Sequence, residues 1–252
     1  MHDAGFLLIS LRPVGGHDAL RRVASRDGGQ LLAMSPWRIL EQDDADTRRP
    51  LREALAAQCV VFTSPAAVRA AARLQRLKAK RTQHFFGVGE GTRRALQRAG
   101  IADAQSPTRM DSEGLLALPE IARMRRDDVL GLVTAPGGRG EIARRLQARG
   151  VRVLRADVYA RGPVSISKAG WQRLQQALDD AASPLYLALS SGDALTEWLA
   201  QLPPAMAKPL RDVTVVAASE RLAALAREQG FRRIKIAASA RPQDLVAAIN
   251  AA

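Results

Sequence analysis

One pattern occurs twice in this chain, and the recurrence narrows the fold to an alternating α/β architecture. The stretch Gln58–Cys59–Val60–Val61–Phe62–Thr63–Ser64–Pro65–Ala66–Ala67–Val68 sets an apolar run before two hydroxyls, a proline and a helix-forming segment. The stretch Leu185–Tyr186–Leu187–Ala188–Leu189–Ser190–Ser191–Gly192–Asp193–Ala194–Leu195 follows the same plan 127 residues later. A continuous run of β-branched and aromatic residues suits a parallel strand buried on both faces. Pro65 suits a first helical turn, where a missing N–H costs nothing. A helix N-terminus carries partial positive charge and unpaired N–H groups, so each turn could hold an anion. Ser and Thr are also ordinary N-caps, and these stretches alone leave both readings open.

The remainder of the chain keeps the alternation. Short apolar runs at 6–11, 30–34, 84–88, 129–134, 151–159, 213–217 and 234–237 read as strands. Helical segments lie between them, and Gly100, Gly150 and Gly230 close three of these at C′ positions. Residues 41–50 are polar and acidic and read as a loop into a helix over 51–57. Further echoes join the first: Val88–Gly89–Glu90 matches Ala218–Ser219–Glu220, and Leu115–Leu116 matches Leu245–Val246, both at an offset of 130. The strand at 6–11 with its Gly15–Gly16 turn matches the strand at 129–134 with Gly137–Gly138. Two similar α/β units are therefore expected, with parallel sheets, helices on both faces, and ligand binding at the C-terminal strand ends.

Composition excludes several classes of function. No apolar run is long enough for a membrane span, and no basic region followed by a long apolar segment marks a signal peptide. A single cysteine, Cys59, cannot form an internal disulfide, and this fits a cytoplasmic location. The formal net charge is +13, which favours an anionic partner, yet 33 of the 38 basic residues are arginines spread along the chain. Aromatics make up only 4%, so base-stacking platforms are poorly supplied and nucleic acid is not expected as a partner.

The catalytic motifs also narrow the field. Gly137–Gly138–Arg139–Gly140 lacks the Lys and hydroxyl of a phosphate-binding P-loop. Gly87–Val88–Gly89–Glu90–Gly91 has Thr92 where a dinucleotide fingerprint needs its last glycine. No Ser sits in a Gly-x-Ser-x-Gly elbow. His2, His17 and His84 have no metal-ligand spacing and read as surface or loop residues. What remains are hydroxyls and glycines at strand ends: Thr63, Ser64, Gly89, Thr92, Ser190, Ser191 and Ser219. This is an anion-holding set with no metal and no cofactor.

Taken in order along nearly the whole chain, the motifs resemble the uroporphyrinogen-III synthase family. The resemblance rests on Val61–Phe62–Thr63–Ser64–Pro65–Ala66–Ala67–Val68, on Val88–Gly89–Glu90–Gly91–Thr92 with Leu96 and Gly100, and on Ser112–Glu113–Gly114–Leu115. It continues through Gly137–Gly138–Arg139 with Leu146 and Gly150, and Val158–Tyr159–Ala160–Arg161. Ser10–Leu11–Arg12–Pro13 is close to the family's Thr-Arg-Pro opening, with Leu11 as an extra residue. Two departures stand out. Thr134–Ala135–Pro136 replaces a frequent Arg-Gly, and Tyr159–Ala160 replaces Tyr-Arg, with Arg161 as the nearest substitute.

The resemblance implies two flavodoxin-like parallel-sheet domains joined by a two-stranded ladder, with a cleft between them. One domain would be discontinuous, residues 1–36 and 164–252, and the other would span 39–160. The ladder would lie at about 35–40 and 158–163. The implied activity is a cyclising lyase reaction: hydroxymethylbilane, a linear tetrapyrrole with eight carboxylates, loses water and closes to uroporphyrinogen III with its last ring inverted. Arg12, Thr63, Ser64, Gly89, Thr92, Gly138, Arg139, Ser190, Ser191 and Ser219 would hold the substrate. Tyr159 would assist departure of the hydroxyl, since a phenol is protonated at neutral pH and can donate a hydrogen bond. A monomer is expected. The alternative is a non-catalytic two-lobed module that binds an anionic metabolite.

Overall fold

The computed structural model describes residues 5–109, 112–137, 140–180 and 183–251. In chain order the first part runs β1 (Leu7–Ser10), α1 (Asp18–Arg26), β2 (Gln30–Ala33), β3 (Trp37–Glu41), α2 (Ala45–Ala56), β4 (Cys59–Phe62), α3 (Pro65–Leu74), β5 (His84–Gly87) and α4 (Glu90–Arg98). The middle holds α5 (Ser112–Leu116), α6 (Pro119–Ala122), β6 (Val129–Thr134), α7 (Glu141–Gln147), β7 (Arg152–Asp157) and β8 (Tyr159–Pro163). The last part is α8 (Lys168–Asp179), β9 (Leu185–Leu189), α9 (Gly192–Leu199), α10 (Pro204–Leu210), β10 (Thr214–Ala217), α11 (Glu220–Glu228), β11 (Ile234–Ile236) and α12 (Pro242–Asn250).

The chain divides into two compact units, Met1–Arg38 with Gly162–Ala252, and Ile39–Arg161. The first unit holds a parallel sheet in the order β11-β10-β9-β1-β2. Numbered within the unit, this is the doubly wound 5-4-3-1-2 order, and its switch point lies between β1 and β9. Leu8 and Ile9 are consecutive and enter different cores. Leu8 joins Leu20, Val216 and Leu245 on one face, and Ile9 joins Leu187, Trp198 and Val215 on the other. A strand with helices on both faces must be apolar at successive positions, because alternate side chains point to opposite sides.

The second unit holds a parallel sheet in the order β5-β4-β6-β7. Val60 and Phe62 pack into one core, Cys59 and Val61 into the other. Cys59 is buried, and desolvation raises its thiol pKa to about 11, so it is an inert apolar filler. Gly131 on β6 is required by close packing: a Cβ there would stand 1.9 Å from the carbonyl oxygen of Ala54 on α2.

The sequence echoes correspond in space. Across the two sheets, β5 takes the place of β10, β4 that of β9, β6 that of β1 and β7 that of β2. The first unit adds β11, in which Lys235 pairs with Val216. At the matching place in the second unit a single bridge joins Phe86 to Gln105, 130 residues earlier at both ends. That bridge is what stands there in place of a fifth strand. Strands β3 and β8 form a separate two-stranded sheet, within which the chain leaves the first unit and returns to it.

Three local expectations need correction. The polar stretch over 41–50 is not a loop: α2 starts at Ala45, capped by Asp44, whose carboxylate accepts from the Thr47 N–H at 2.7 Å. The helix runs through Pro50 and forgoes one backbone bond, because Leu51 and Ala54 are fully buried and hold it to the core. The strand read over 151–159 breaks at Val158, so Tyr159 opens β8 rather than closing β7. His17 is no surface residue; it is buried at the start of α1.

Candidate functional site

In the second unit, the chemistry gathers at the switch point between β4 and β6. After Phe62 the chain turns into α3, with Ser64 as N-cap and Pro65 in the first turn. Ser64 Oγ accepts from the Ala67 N–H at 3.1 Å and lies 3.2 Å from the Tyr159 hydroxyl. One lone pair of Ser64 is therefore engaged while its proton is free to be donated to the phenol oxygen. Beside it, Thr63 Oγ1 lies 2.8 Å from Thr134 Oγ1 at the end of β6. Tyr159 is buried within the same core as Val133, Ala156 and Val158, which restricts the ring and leaves the hydroxyl at the strand ends. Thr63, Ser64, Thr134 and Tyr159 are thus brought together, although Tyr159 is distant in sequence.

The next turn of this unit has a different character. Gly89 is the N-cap of α4 with an extended backbone and supplies no side-chain cap. The adjacent Glu90 is held by Arg93 and Arg94, with Nε of each at 2.7 Å, and these hydrogen bonds, that of Arg93 above all, pull its pKa down to about 2. A carboxylate thus already resides at this helix start. Thr92 is buried, and its Cβ lies against Gly87, where any added side chain would meet it. Gly138 and Arg139 lie outside the described residues.

In the first unit, Ser191 and Ser219 are the N-caps of α9 and α11, each accepting from a third-position N–H at 3.4 Å. Ser190 precedes Ser191 at the end of β9 and is half-buried. The other side of this switch point, after β1, carries Arg12. Its guanidinium reaches the Ala240 carbonyl oxygen with one N–H at 3.2 Å, and its Nε is buried without a partner among the described residues. Burial lowers the Arg12 pKa, which reflects the cost of holding this charge away from water. Sequence reasoning missed the buried histidine next to it. His17 Nδ1 lies 3.0 Å from Ser10 Oγ and Nε2 lies 2.7 Å from Ser35 Oγ. Desolvation, reinforced by Arg21 and Arg12 and opposed by Asp18, drops the His17 pKa to about 4. The Ser10–His17 contact is not a nucleophile and its base, because Ser10 is fully buried inside the sheet.

Among the described residues, no cluster of His, Cys, Asp or Glu could hold a metal ion, and no helix is long and apolar enough to cross a membrane. Residues 18–247 match the family model described as uroporphyrinogen-III synthase. Among solved structures, the chain resembles a mutant uroporphyrinogen III synthase from the extremely thermophilic bacterium Thermus thermophilus, with a TM-score of 0.61, 18% identity and 97% of each chain covered. It also resembles the uroporphyrinogen-III synthetase of Helicobacter pylori, with a TM-score of 0.57, 14% identity and 97% of each chain covered. No curated protein sequence matches the chain.

Proposed function

This chain belongs to the uroporphyrinogen-III synthase family, and we propose that it cyclises hydroxymethylbilane to uroporphyrinogen III with inversion of the last ring and loss of one water. The observation that carries this reading is the hydroxyl pair of Ser64 and Tyr159 at the end of β4, 3.2 Å apart. Ser64 is anchored by the Ala67 N–H and donates its own proton to the phenol oxygen. The phenol proton is then left for an outside acceptor, and a hydrogen bond received at the oxygen strengthens one donated from it. That acceptor is the hydroxyl of the linear tetrapyrrole. As its C–O bond breaks, the electron pair leaves with oxygen, which departs as water after taking a proton. The resulting azafulvene bonds to the substituted carbon of the last ring and forms a spiro intermediate. The older bond from that carbon to its methylene then breaks, and the freed methylene bonds to the unsubstituted α-carbon of the same ring, which closes inverted. The proton lost from the macrocycle balances the one consumed.

Substrate binding falls to the strand-end turns. Helix starts at α3 and α9 offer backbone N–H groups with Ser64 and Ser191 beside them, and Arg12 offers an under-satisfied cation. Thr63 and Ser190 flank the same turns. Gly89 and Ser219 contribute through backbone at turns that also bear Glu90 and Glu220, Thr92 supports the Gly87 end of β5, and Gly138 with Arg139 follow the family pattern. The overall excess of positive charge steers a polyanionic substrate. Binding that enforces one folded geometry is the larger part of catalysis, because the open chain closes without inversion when left alone. The test is incubation with freshly made hydroxymethylbilane, oxidation, and separation of the porphyrin isomers. Type III is expected; type I alone would overturn the proposal.

A further inference from the structure

The chain from Ser10 to Arg12 contains a hydrogen-bond series whose protons can be counted. Ser35 Oγ donates to the Arg12 carbonyl oxygen at 2.7 Å, so its single proton is spent there. Ser35 can then only accept from His17, which places a proton on Nε2. A neutral ring with Nε2–H has a bare Nδ1, and this accepts the proton of Ser10 at 3.0 Å. Every member is thereby satisfied, and Ser10, His17 and Ser35 are 0%, 6% and 9% exposed. An imidazolium would place a second donor against Ser10, at a helix start whose dipole already disfavours positive charge. The series ends on the backbone of Arg12. The β1–β2 ladder closes with Met34 N–H donating to the Ser10 carbonyl, so the Arg12 carbonyl has no strand partner and takes Ser35 instead.

We propose that His17 is a positioning residue: as the neutral Nε2–H tautomer it orients Ser35, which fixes the Arg12 carbonyl and with it the direction of the Arg12 guanidinium toward a substrate carboxylate. The proposal rests on the reading that Arg12 holds such a carboxylate. The turn is otherwise held by Gly16 N–H to Pro13 and Val14 N–H to Trp37, neither of which touches Arg12. The Arg12 guanidinium is held at its far end by the Ala240 carbonyl oxygen, and its buried Nε lacks a partner among the described residues, so the backbone that Ser35 fixes is the other anchor that sets the direction of the side chain.

Two measurements on the full chain test this. Nitrogen-15 NMR of the imidazole at neutral pH is expected to show His17 neutral with the proton on Nε2; a proton on Nδ1, or on both nitrogens, overturns the proposal. The second compares His17→Leu, which keeps bulk and removes both contacts, with His17→Gln, whose amide N–H can still reach Ser35. His17→Leu is expected to raise KM for hydroxymethylbilane about tenfold with kcat within about twofold, the pattern of a displaced binding group. His17→Gln is expected to restore most of the loss. Equal effects of the two substitutions, or none, overturn the proposal. Should His17→Leu fail to fold, Ser35→Ala breaks the last link and carries the same expectations. The Arg12 Nε–H resonance, read without substrate, separates this inference from the reading beneath it. It should move in His17→Leu and return in His17→Gln. If it does so while Arg12→Ala leaves KM unchanged, the substrate role of Arg12 is lost and the positioning of the turn stands. An unmoved resonance overturns the positioning itself.

Discussion

Ser64 and Ser191 occupy the same place in two copies of one fold, yet their surroundings differ. Each follows the strand next to a switch point, and each caps the helix after it. Ser64 also meets the hydroxyl of Tyr159. The position matching Tyr159 in the other unit, the first residue of the partner ladder strand, is Trp37, which is buried in an apolar core. The first unit has instead a cation at its switch point, Arg12, where the second has the hydroxyl of Thr134. On the proposed reading, a repeated backbone supplies two similar anion-holding turns, and a few side chains that break the symmetry divide the labour: a proton donor in one unit, a half-buried cation in the other.

The comparison fails most completely if the units are not independent, so the largest expected effect concerns folding. The second unit contains two core clusters built from its own residues. A fragment covering residues 39–160 should fold alone with a cooperative melt. A fragment covering 1–123 should not, since it would contain β1 and β2 without β9 and β10, and β4 and β5 without β6 and β7. A cooperative melt of the 1–123 fragment would refute the discontinuous arrangement.

Next in size is the chemical asymmetry. Tyr159→Phe keeps the ring in its core and removes only the donor. Turnover should fall about ten- to a thousandfold with the melting temperature unchanged, the scale of lost hydrogen-bond or general-acid assistance. Trp37→Phe should do the reverse, costing about 1–3 kcal/mol of stability through lost packing while turnover stays near that of the unsubstituted chain. If Tyr159→Phe turns over normally, the phenol is a packing residue and the two units are chemically alike.

How much of this was legible in sequence follows from what each feature depends on. The strand-hydroxyl-helix stretches were visible because strand, cap and first turn are all local. The two-faced burial of the sheets showed in the continuous apolar run of Val60, Val61 and Phe62. The first half of α2 was hidden because Pro50 reads as a breaker and its first turn is polar; two buried residues, Leu51 and Ala54, override that propensity. The short helices α6 and α10 each begin with proline and are too brief to show a period. His17 was misread because its partners, Ser10 and Ser35, are common residues with no recognisable spacing to it, and only the β1–β2 pairing brings them to its two ring nitrogens.

The buried histidine gives the first unit a pH dependence of its own. Unfolded, His17 titrates near 6.5; folded, near 4. Between these values the unfolded chain binds the extra proton, so stability rises with pH across the window and is complete above about 6.5. The loss on descending through it is at most about 3 kcal/mol. Asp18, Arg21 and Arg12 are the charged groups that act on the ring. The difference between the unsubstituted chain and His17→Gln isolates the histidine. Melting temperatures of the two should converge as pH falls from 6.5 toward 4, and parallel curves would show that the ring is not held neutral.

The smallest effects discriminate most finely between the two serines. Removing either hydroxyl deletes one N-cap bond, at 3.1 Å for Ser64 and 3.4 Å for Ser191, so each alanine variant should lose about 1 kcal/mol of stability. Turnover should fall only partly in both, because backbone N–H groups remain to hold a carboxylate. Ser64→Ala should lose several-fold more turnover than Ser191→Ala, since it also deprives Tyr159 of the hydrogen bond that frees its proton. Combining each with Tyr159→Phe makes the distinction quantitative: the Ser64 effect should shrink once the phenol is gone, and the Ser191 effect should simply add. Aspartate at either site restores a cap yet sets a like charge against the bound anion, so Ser64→Asp and Ser191→Asp should raise KM well beyond the alanine variants. Equal KM for Ala and Asp at both positions would reduce these serines to caps and leave Arg12 as the only one of the three groups with a case for holding a carboxylate.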